Sequence, residues 1–169
     1  PVDICEEGFT YTPISGKCYK YISSVLSWAD ANASCQSTGG HLASIPDKET
    51  NDYLTSLTSA NTWLGGYRLE VKGSDWGWTD GSQWNFTNWA PGKPDGLTQR
   101  YAAMYANGMW EDVYGDAWYK FPSICQQSPC YEYHHKSEAL SCSVAYAFKN
   151  QNFCDGSVED CSKKGEEHC

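Results

Sequence analysis

Carboxylates, tryptophans and a proline-containing polar turn are concentrated between Trp76 and Cys125. Asp95 follows Pro94 in the turn, and Glu111 and Asp112 are adjacent further along the chain. Carboxylates can bind a hard cation through their oxygen atoms or transfer protons. Most of the eight tryptophans lie in the same window. Large rings held between Gly and Pro residues favour a long, packed loop over a regular sheet, and such loops commonly carry function.

Two amphipathic helices are predicted before this window. Ser27 can cap a helix that runs to about Ser37 and stops at Gly39-Gly40. A second helix is predicted from Pro46-Asp47 through about Ser59. The predicted buried residues are Trp28, Ala31 and Cys35 in the first helix and Tyr53, Leu54 and Leu57 in the second.

Short strands and one hairpin complete the predicted elements. The strands are expected at Thr62 to Tyr67, at Tyr101 to Tyr105 and near Tyr119 to Cys125, with a long loop from about Gly73 to Gln99. Cys5 and Cys18 enclose a Pro- and Gly-containing turn, which suits a hairpin closed by its own disulfide.

These landmarks, in this order, resemble the C-type lectin-like domain. The residues that carry the resemblance are Gly8-Phe9, Cys18-Tyr19, Trp28, Cys35, Gly40-His41-Leu42-Ala43-Ser44-Ile45, Trp63-Leu64-Gly65-Gly66 and Trp110-Glu111-Asp112. The resemblance implies an α+β domain over residues 1–127, with two helices, two small antiparallel sheets and a long loop whose tip binds ligands. It also implies a disulfide between Cys35 and Cys125. A second disulfide is common beneath the loop in this family, but Tyr101 and Gly115 stand at those positions, so packing must order the loop.

The resemblance also implies a ligand site. Sugar-binding members hold one calcium with a cis-proline triplet, a later acidic residue and a Trp-Asn-Asp motif, and sugar hydroxyls complete its shell. The matching ligand-binding residues in this chain are Lys93, Asp95, Gln99, Glu111 and Asp112, of which Asp95, Glu111 and Asp112 are the candidate metal ligands. Calcium prefers six to eight oxygen ligands, and a lysine ammonium cannot coordinate a cation.

Lys93 leaves two interpretations open. A fixed positive charge at about 4 Å from a divalent ion costs roughly 8 kcal/mol at an effective dielectric near 20, which favours a site without calcium. In that case Lys93 can instead pair with Glu111. Alternatively, three carboxylates compensate while the flexible lysine turns into water. A triplet that ends in Asp95 resembles the galactose-preferring pattern, and Trp84, Trp89 and Tyr114 are the aromatic residues that can face a sugar, although Trp89 matches a core position.

The remaining residues, 128–169, form a cysteine-rich extension of no recognised family. A short helix is predicted there from about Ser137 to Lys149. Of nine cysteines, four are assigned to pairs and five fall in the extension, so one is left over. The leftover cysteine predicts a disulfide-linked dimer, with Cys169 as the most accessible candidate, or else a free thiol, a capped thiol or a partner cysteine outside this sequence.

Composition indicates a secreted, extracellular protein. Nine cysteines are typical of an oxidising compartment, and the sequons at Asn32 and Asn85 are compatible with secretion. No apolar run is long enough to insert into a membrane, and the net charge of −9 argues against nucleic acid as a partner. No histidine stands beside a nucleophile, and adjacent carboxylates do not face each other across a substrate, so we expect no enzyme.

Three classes of function fit this sequence. The first is recognition of a glycan or glycoprotein, with calcium or with a substitute polar site. The second is calcium-independent recognition of a protein, which Lys93 and the missing loop disulfide favour. The third is a structural protein of the extracellular matrix. We predict glycan recognition because the loop residues are retained.

Overall fold

The computed structural model describes residues 5–70, 73–96, 98–115 and 118–129. Its elements in chain order are β1 (Thr10–Thr12), β2 (Lys17–Leu26), α1 (Trp28–Ser37), β3 (His41–Leu42), α2 (Lys48–Ser56), β4 (Thr62–Arg68), β5 (Trp76–Trp78), β6 (Tyr101–Met104), β7 (Trp110–Val113) and β8 (Phe121–Gln127). The predicted extension helix and five of the nine cysteines lie outside the described residues.

The strands form two antiparallel groups that one parallel contact joins. Strands β1, β2 and β8 lie side by side, and β3 also pairs with β8. Strand β4 pairs with β5 and β6, and β6 pairs with β7. Between the groups, Trp63 of β4 pairs with Ser123 of β8 in parallel. The predicted α+β class is confirmed, and the two expected sheets form one continuous mixed sheet.

Helix α1 follows its prediction. The side chain of Ser27 accepts a hydrogen bond from the Asp30 N–H at 3.2 Å, and Trp28, Ala31 and Cys35 form the buried face. Cys35 is bonded to Cys125 of β8, which confirms the predicted disulfide. Because 90 residues separate the two cysteines, loop closure contributes roughly 4 kcal/mol to stability. The Cys5–Cys18 disulfide of the hairpin is confirmed as well.

Helix α2 differs from its prediction in its end and its buried face. It begins after the N-cap Asp47 as expected, but it ends at Ser56 instead of about Ser59. Its fully buried residues are Thr50, Asn51 and Leu54, while Tyr53 and Leu57 are half-buried. Asn51 is buried because its Oδ1 accepts a hydrogen bond from the Trp110 indole at 2.7 Å and its Nδ2 donates to the Gly108 carbonyl at 3.1 Å. A prediction based on apolar residues alone therefore overlooks Asn51, whose hydrogen bonds attach α2 to the start of β7.

Two short strands lie where a loop was predicted or where no strand was expected. In β5, Trp76 and Trp78 are both buried and flank Gly77, as the two-residue period of a strand requires. Strand β7 carries Trp110 and two carboxylates of the candidate site, Glu111 and Asp112. The loop between β5 and β6, residues 79–100, is called the long loop below. In the described part of the chain neither helix is long and apolar enough to cross a membrane.

Candidate functional site

The polar triplet of the long loop is placed by a tight turn and by pairing with β7. Pro91 and Gly92 occupy the central positions of a turn that the Lys93 N–H closes by donating to the Ala90 carbonyl at 2.9 Å. Gly92 has φ of +80°, which a type II turn requires at that position. The Ala90 N–H donates to the Trp110 carbonyl at 2.8 Å. The peptide bond between Lys93 and Pro94 is cis, as the resemblance implies.

Lys93 forms its ion pair with Asp95. Its Nζ lies 2.9 Å from Asp95 Oδ1, and the two side chains are 21% and 56% exposed. The hydrogen bond to Asp95 raises the pKa of Lys93, and the negative charges of Asp112 and Glu111 act in the same direction. The hydrogen bond from Lys93 in turn lowers the pKa of Asp95. The ammonium therefore supplies the positive charge at the tip of the loop.

Glu111 has a different partner from the one considered in the sequence. Its Oε2 accepts a hydrogen bond of 2.6 Å from the Tyr105 hydroxyl, so the structure corrects the Lys93–Glu111 pairing. The two side chains can meet because Glu111 lies in β7 and Tyr105 directly follows the end of the neighbouring strand β6. This hydrogen bond and partial burial raise the pKa of Tyr105.

Asp112 is buried and fully engaged by groups of the protein itself. Its Oδ1 accepts the Asp95 N–H at 3.0 Å, and its Oδ2 accepts the Gly96 N–H at 2.9 Å. Arg68 also donates to Oδ2, at 3.3 Å, and both charged side chains are nearly inaccessible. The carboxylate thus binds the backbone of the long loop from below.

Arg68 is the residue of this site that the sequence did not reveal. From the end of β4 its guanidinium donates to three carbonyls, those of Gly73 at 2.6 Å, Gly96 at 2.7 Å and Gln99 at 2.8 Å. It also lies over the Trp76 ring, 4.8 Å from the centroid. An arginine two residues after the Trp63-Leu64-Gly65-Gly66 run was the available signal, but its partners are mostly backbone groups that the sequence does not distinguish.

The donor set does not fit calcium. In the described residues no group of three or more Asp, Glu, His or Cys side chains is arranged to hold a metal ion. The predicted ligands Asp95, Glu111 and Asp112 are instead engaged by Lys93, by Tyr105, and by Arg68 with two backbone N–H groups. The positive charges of Lys93 and Arg68 next to these carboxylates oppose the binding of a calcium ion. Gln99 contributes its backbone carbonyl to Arg68 at this site.

The Tyr101 ring occupies the position at which the family commonly has a disulfide. A Cβ added to Gly115 would lie 2.1 Å from Cε2 of Tyr101, so the ring contacts the Gly115 backbone directly. The ring also stacks on Trp28 of α1, with centroids 4.1 Å apart. A large and a small residue therefore replace a pair of cysteines beneath the loop.

The tryptophans of the window form a packed cluster. Trp76, Trp78 and Trp110 are buried, and Trp84 and Trp89 pack against them with ring centroids 4.2 to 5.9 Å apart. Of the aromatic residues considered for sugar contact, Tyr114 is the exposed one, at 39%. Its hydroxyl accepts a hydrogen bond from the Thr98 hydroxyl at 3.2 Å, which places the ring beside the long loop. Trp118 and Tyr119 are exposed in the same segment.

Asp80 anchors the start of the long loop. Its Oδ1 accepts the Ser82 N–H at 3.0 Å within a turn, and its Oδ2 accepts hydrogen bonds from Ser44 at 2.7 Å and Gln126 at 2.6 Å. Burial opposes ionisation, but these hydrogen bonds outweigh it and lower the pKa of Asp80.

The comparisons with known proteins agree with this geometry. Residues 24–127 match the model of the lectin C-type domain family. A lectin of Pleurodeles waltl is 38% identical over 125 residues, which cover 66% of this chain and 71% of the relative. The chain belongs to the C-type lectin-like domain family, whose members are generally binding proteins and not enzymes.

Two solved structures bear on the role of calcium. A calcium-independent type II antifreeze protein superposes with a TM-score of 0.68 at 31% identity, covering 75% of this chain and 95% of that one. The calcium-free form of a Ca²⁺-dependent type II antifreeze protein gives a TM-score of 0.66 at 33% identity, covering 73% and 99%. The same fold therefore occurs with and without a calcium requirement.

Proposed function

We propose that the chain is an extracellular recognition module that binds a neutral glycan at its long loop without calcium. The observation that carries the proposal is the bonding of Asp112, whose two oxygens are engaged by Arg68 and by two N–H groups of the loop. Because these contacts hold the loop backbone, a metal is not needed to order it. Of the predicted metal ligands, Asp95 and Asp112 thus form ion pairs within the protein, and Glu111 accepts a hydrogen bond from Tyr105.

The surface of the loop offers the chemistry that a glycan needs. Asp95 is exposed beside the Lys93 ammonium, and the pair combines acceptors and donors for sugar hydroxyls with no net charge. The exposed ring of Tyr114 offers an apolar face close to Thr98. The net charge of −9 disfavours anionic glycans. These features support a neutral ligand with an apolar ring face.

Binding to immobilised galactose- and mannose-terminated glycans tests the proposal. Both glycans are tested because the galactose-like preference of the triplet was inferred for a site in which calcium binds the sugar hydroxyls. Without calcium that preference need not hold. We expect equal binding in calcium and in chelator, and a loss of about tenfold or more in Lys93→Ala and Asp95→Ala, equivalent to at least about 1.4 kcal/mol. The matched control is the exposed Lys48–Asp52 pair of α2, whose alanine variants should bind as the wild type does. Binding that chelator abolishes would contradict the proposal.

Protein recognition is the second candidate. Trp118 is 91% exposed and Tyr119 is 41% exposed, and aromatic side chains of this kind are enriched at the centres of protein interfaces. If the partner is a protein, Trp118→Ala should remove its binding while Lys93→Ala leaves it intact. Because two similar structures are antifreeze proteins, thermal hysteresis is measured on the same preparation. Hysteresis in the wild type together with no glycan binding would assign the surface to ice.

A further inference from the structure

The two sequons of the chain lie in different structural settings. Asn32 belongs to the middle of α1, between buried Ala31 and the disulfide-bonded Cys35. Its side chain is half-buried, and its Oδ1 atom is fully enclosed. The amide of Asn32 is therefore less accessible to a transferase than an amide on an exposed loop.

Asn85 lies in an irregular and exposed part of the long loop. Its Nδ2 donates to the Gln83 side chain at 3.1 Å, and both residues are exposed. Its neighbours Trp84 and Phe86 pack against the tryptophan cluster, whereas Asn85 and Thr87 face solvent. The alternation directs the acceptor amide and the sequon hydroxyl outward while the two rings hold the segment in place.

We propose that Asn85 carries an N-linked glycan and that Asn32 does not. The inference rests on the extracellular setting of the proposed function, because this modification is made on chains that enter the secretory pathway. The co-reactant is an oligosaccharide on a lipid pyrophosphate. The bond from its anomeric carbon to pyrophosphate breaks, a bond from that carbon to Nδ2 of Asn85 forms, and one amide proton leaves with the released lipid pyrophosphate.

The order of events does not change the outcome. If the transferase meets both sequons on the unfolded chain, a glycan on Asn32 must then be accommodated within α1. That helix supplies Cys35 for the disulfide to β8, and Trp28 from the same face donates to the Leu64 carbonyl at 2.8 Å. We therefore expect a chain glycosylated at Asn32 to reach the native packing less readily than one glycosylated at Asn85.

Secretion of the full chain from eukaryotic cells tests the inference. We expect amidase deglycosylation to lower the mass of the wild type and to convert Asn85 to aspartate, which peptide mapping detects. Thr87→Ala and Asn85→Gln should lose this shift, while Thr87→Ser, which restores the sequon, and Ser34→Ala should keep it. Because Thr87→Ala and Thr87→Ser differ by one hydroxyl at an exposed position, folding is not expected to separate them.

Three results would overturn the inference: a secreted wild type without a glycan, a glycan that persists in Thr87→Ala, or an occupied Asn32. Glycan binding is measured separately on deglycosylated protein. A failure of recognition is thereby distinguished from a failure of modification.

Discussion

The guanidinium of Arg68 joins the C-terminal part of the long loop and the connection between β4 and β5 to Asp112 of β7. It donates to carbonyls at Gly73, Gly96 and Gln99 and pairs with the buried Asp112. We predict that Arg68→Met lowers the free energy of unfolding by about 3 to 5 kcal/mol, because it leaves a buried carboxylate without its cation. Urea denaturation measures this change, and tryptophan near-UV circular dichroism reports the accompanying disorder around Trp76.

The double variant Arg68→Met/Asp112→Asn separates charge from packing. Removing the unpaired charge should recover part of the lost stability, so the two substitutions should be less than additive. Arg68→Lys keeps the charge but not the planar fork, and an intermediate loss is expected. If Arg68→Met had the same free energy of unfolding as the wild type, the hydrogen bonds of Arg68 would not order the loop.

Asp80 gives the loop a dependence on acid. Its pKa is lower in the folded chain than the ordinary value of 3.8, so the ionised form stabilises the fold. The contribution is complete above the unfolded value and is lost as the pH falls through the folded value. We predict that the free energy of unfolding falls less steeply below about pH 4 in Asp80→Asn than in the wild type. Denaturant titrations across the acid range measure both slopes, and identical slopes would contradict the prediction.

At the scale of elements, the contact between Tyr101 and Gly115 joins β6 to the segment after β7. Gly115→Ala places a methyl group in the position of the ring, and we predict a loss of about 1 to 3 kcal/mol from overpacking. Replacing both residues by cysteine tests the substitution directly. Mass spectrometry should then find a new disulfide, and urea denaturation should show that this variant is more stable than Gly115→Ala.

The control for this pair is Tyr101→Leu, alone and together with Gly115→Ala. A smaller side chain removes the clash, so the double variant should be more stable than the sum of the single losses indicates. Strict additivity would mean that the two positions do not interact.

The elements that the sequence predicts well are those fixed by local chemistry. Helix α1 has its cap and its buried face within ten residues, and the first disulfide closes a short hairpin. Helix α2 was predicted less accurately because Asn51 is buried through partners 57 and 59 residues away. Strand β5 was assigned to a loop because three residues are too few for a pattern to be distinguished from packed loop tryptophans.

The candidate site shows the same division. The motif positions Lys93, Asp95, Glu111 and Asp112 are found by order along the chain, and the structure brings them to neighbouring segments. Their partners are not found in this way. Arg68 acts through carbonyl groups, which the sequence does not distinguish, and the choice of Asp95 over Glu111 by Lys93 depends on the Pro91-Gly92 turn.

At the scale of the whole molecule, the cysteine count predicts a covalent state. Four cysteines are paired within the described residues, and the five others of the sequence cannot all pair within one chain. We predict that secreted protein runs on non-reducing gels as a dimer that Cys169→Ser converts to monomer, or else as a monomer with one thiol that can be alkylated or that carries a cap. Intact mass distinguishes these forms. A monomer with neither a thiol nor an adduct would contradict the count of paired cysteines.

The central claim concerns the whole site: internal cations, not calcium, hold the long loop. Calorimetric titration of calcium into the wild type and into Lys93→Gln tests it most directly, because that variant removes one cation and leaves Arg68 on Asp112. The account predicts no saturable heat from either protein and the same thermal unfolding midpoint in calcium and in chelator. Saturable binding by the wild type, or its appearance in Lys93→Gln, would show that the carboxylates remain available to a metal and would contradict the account.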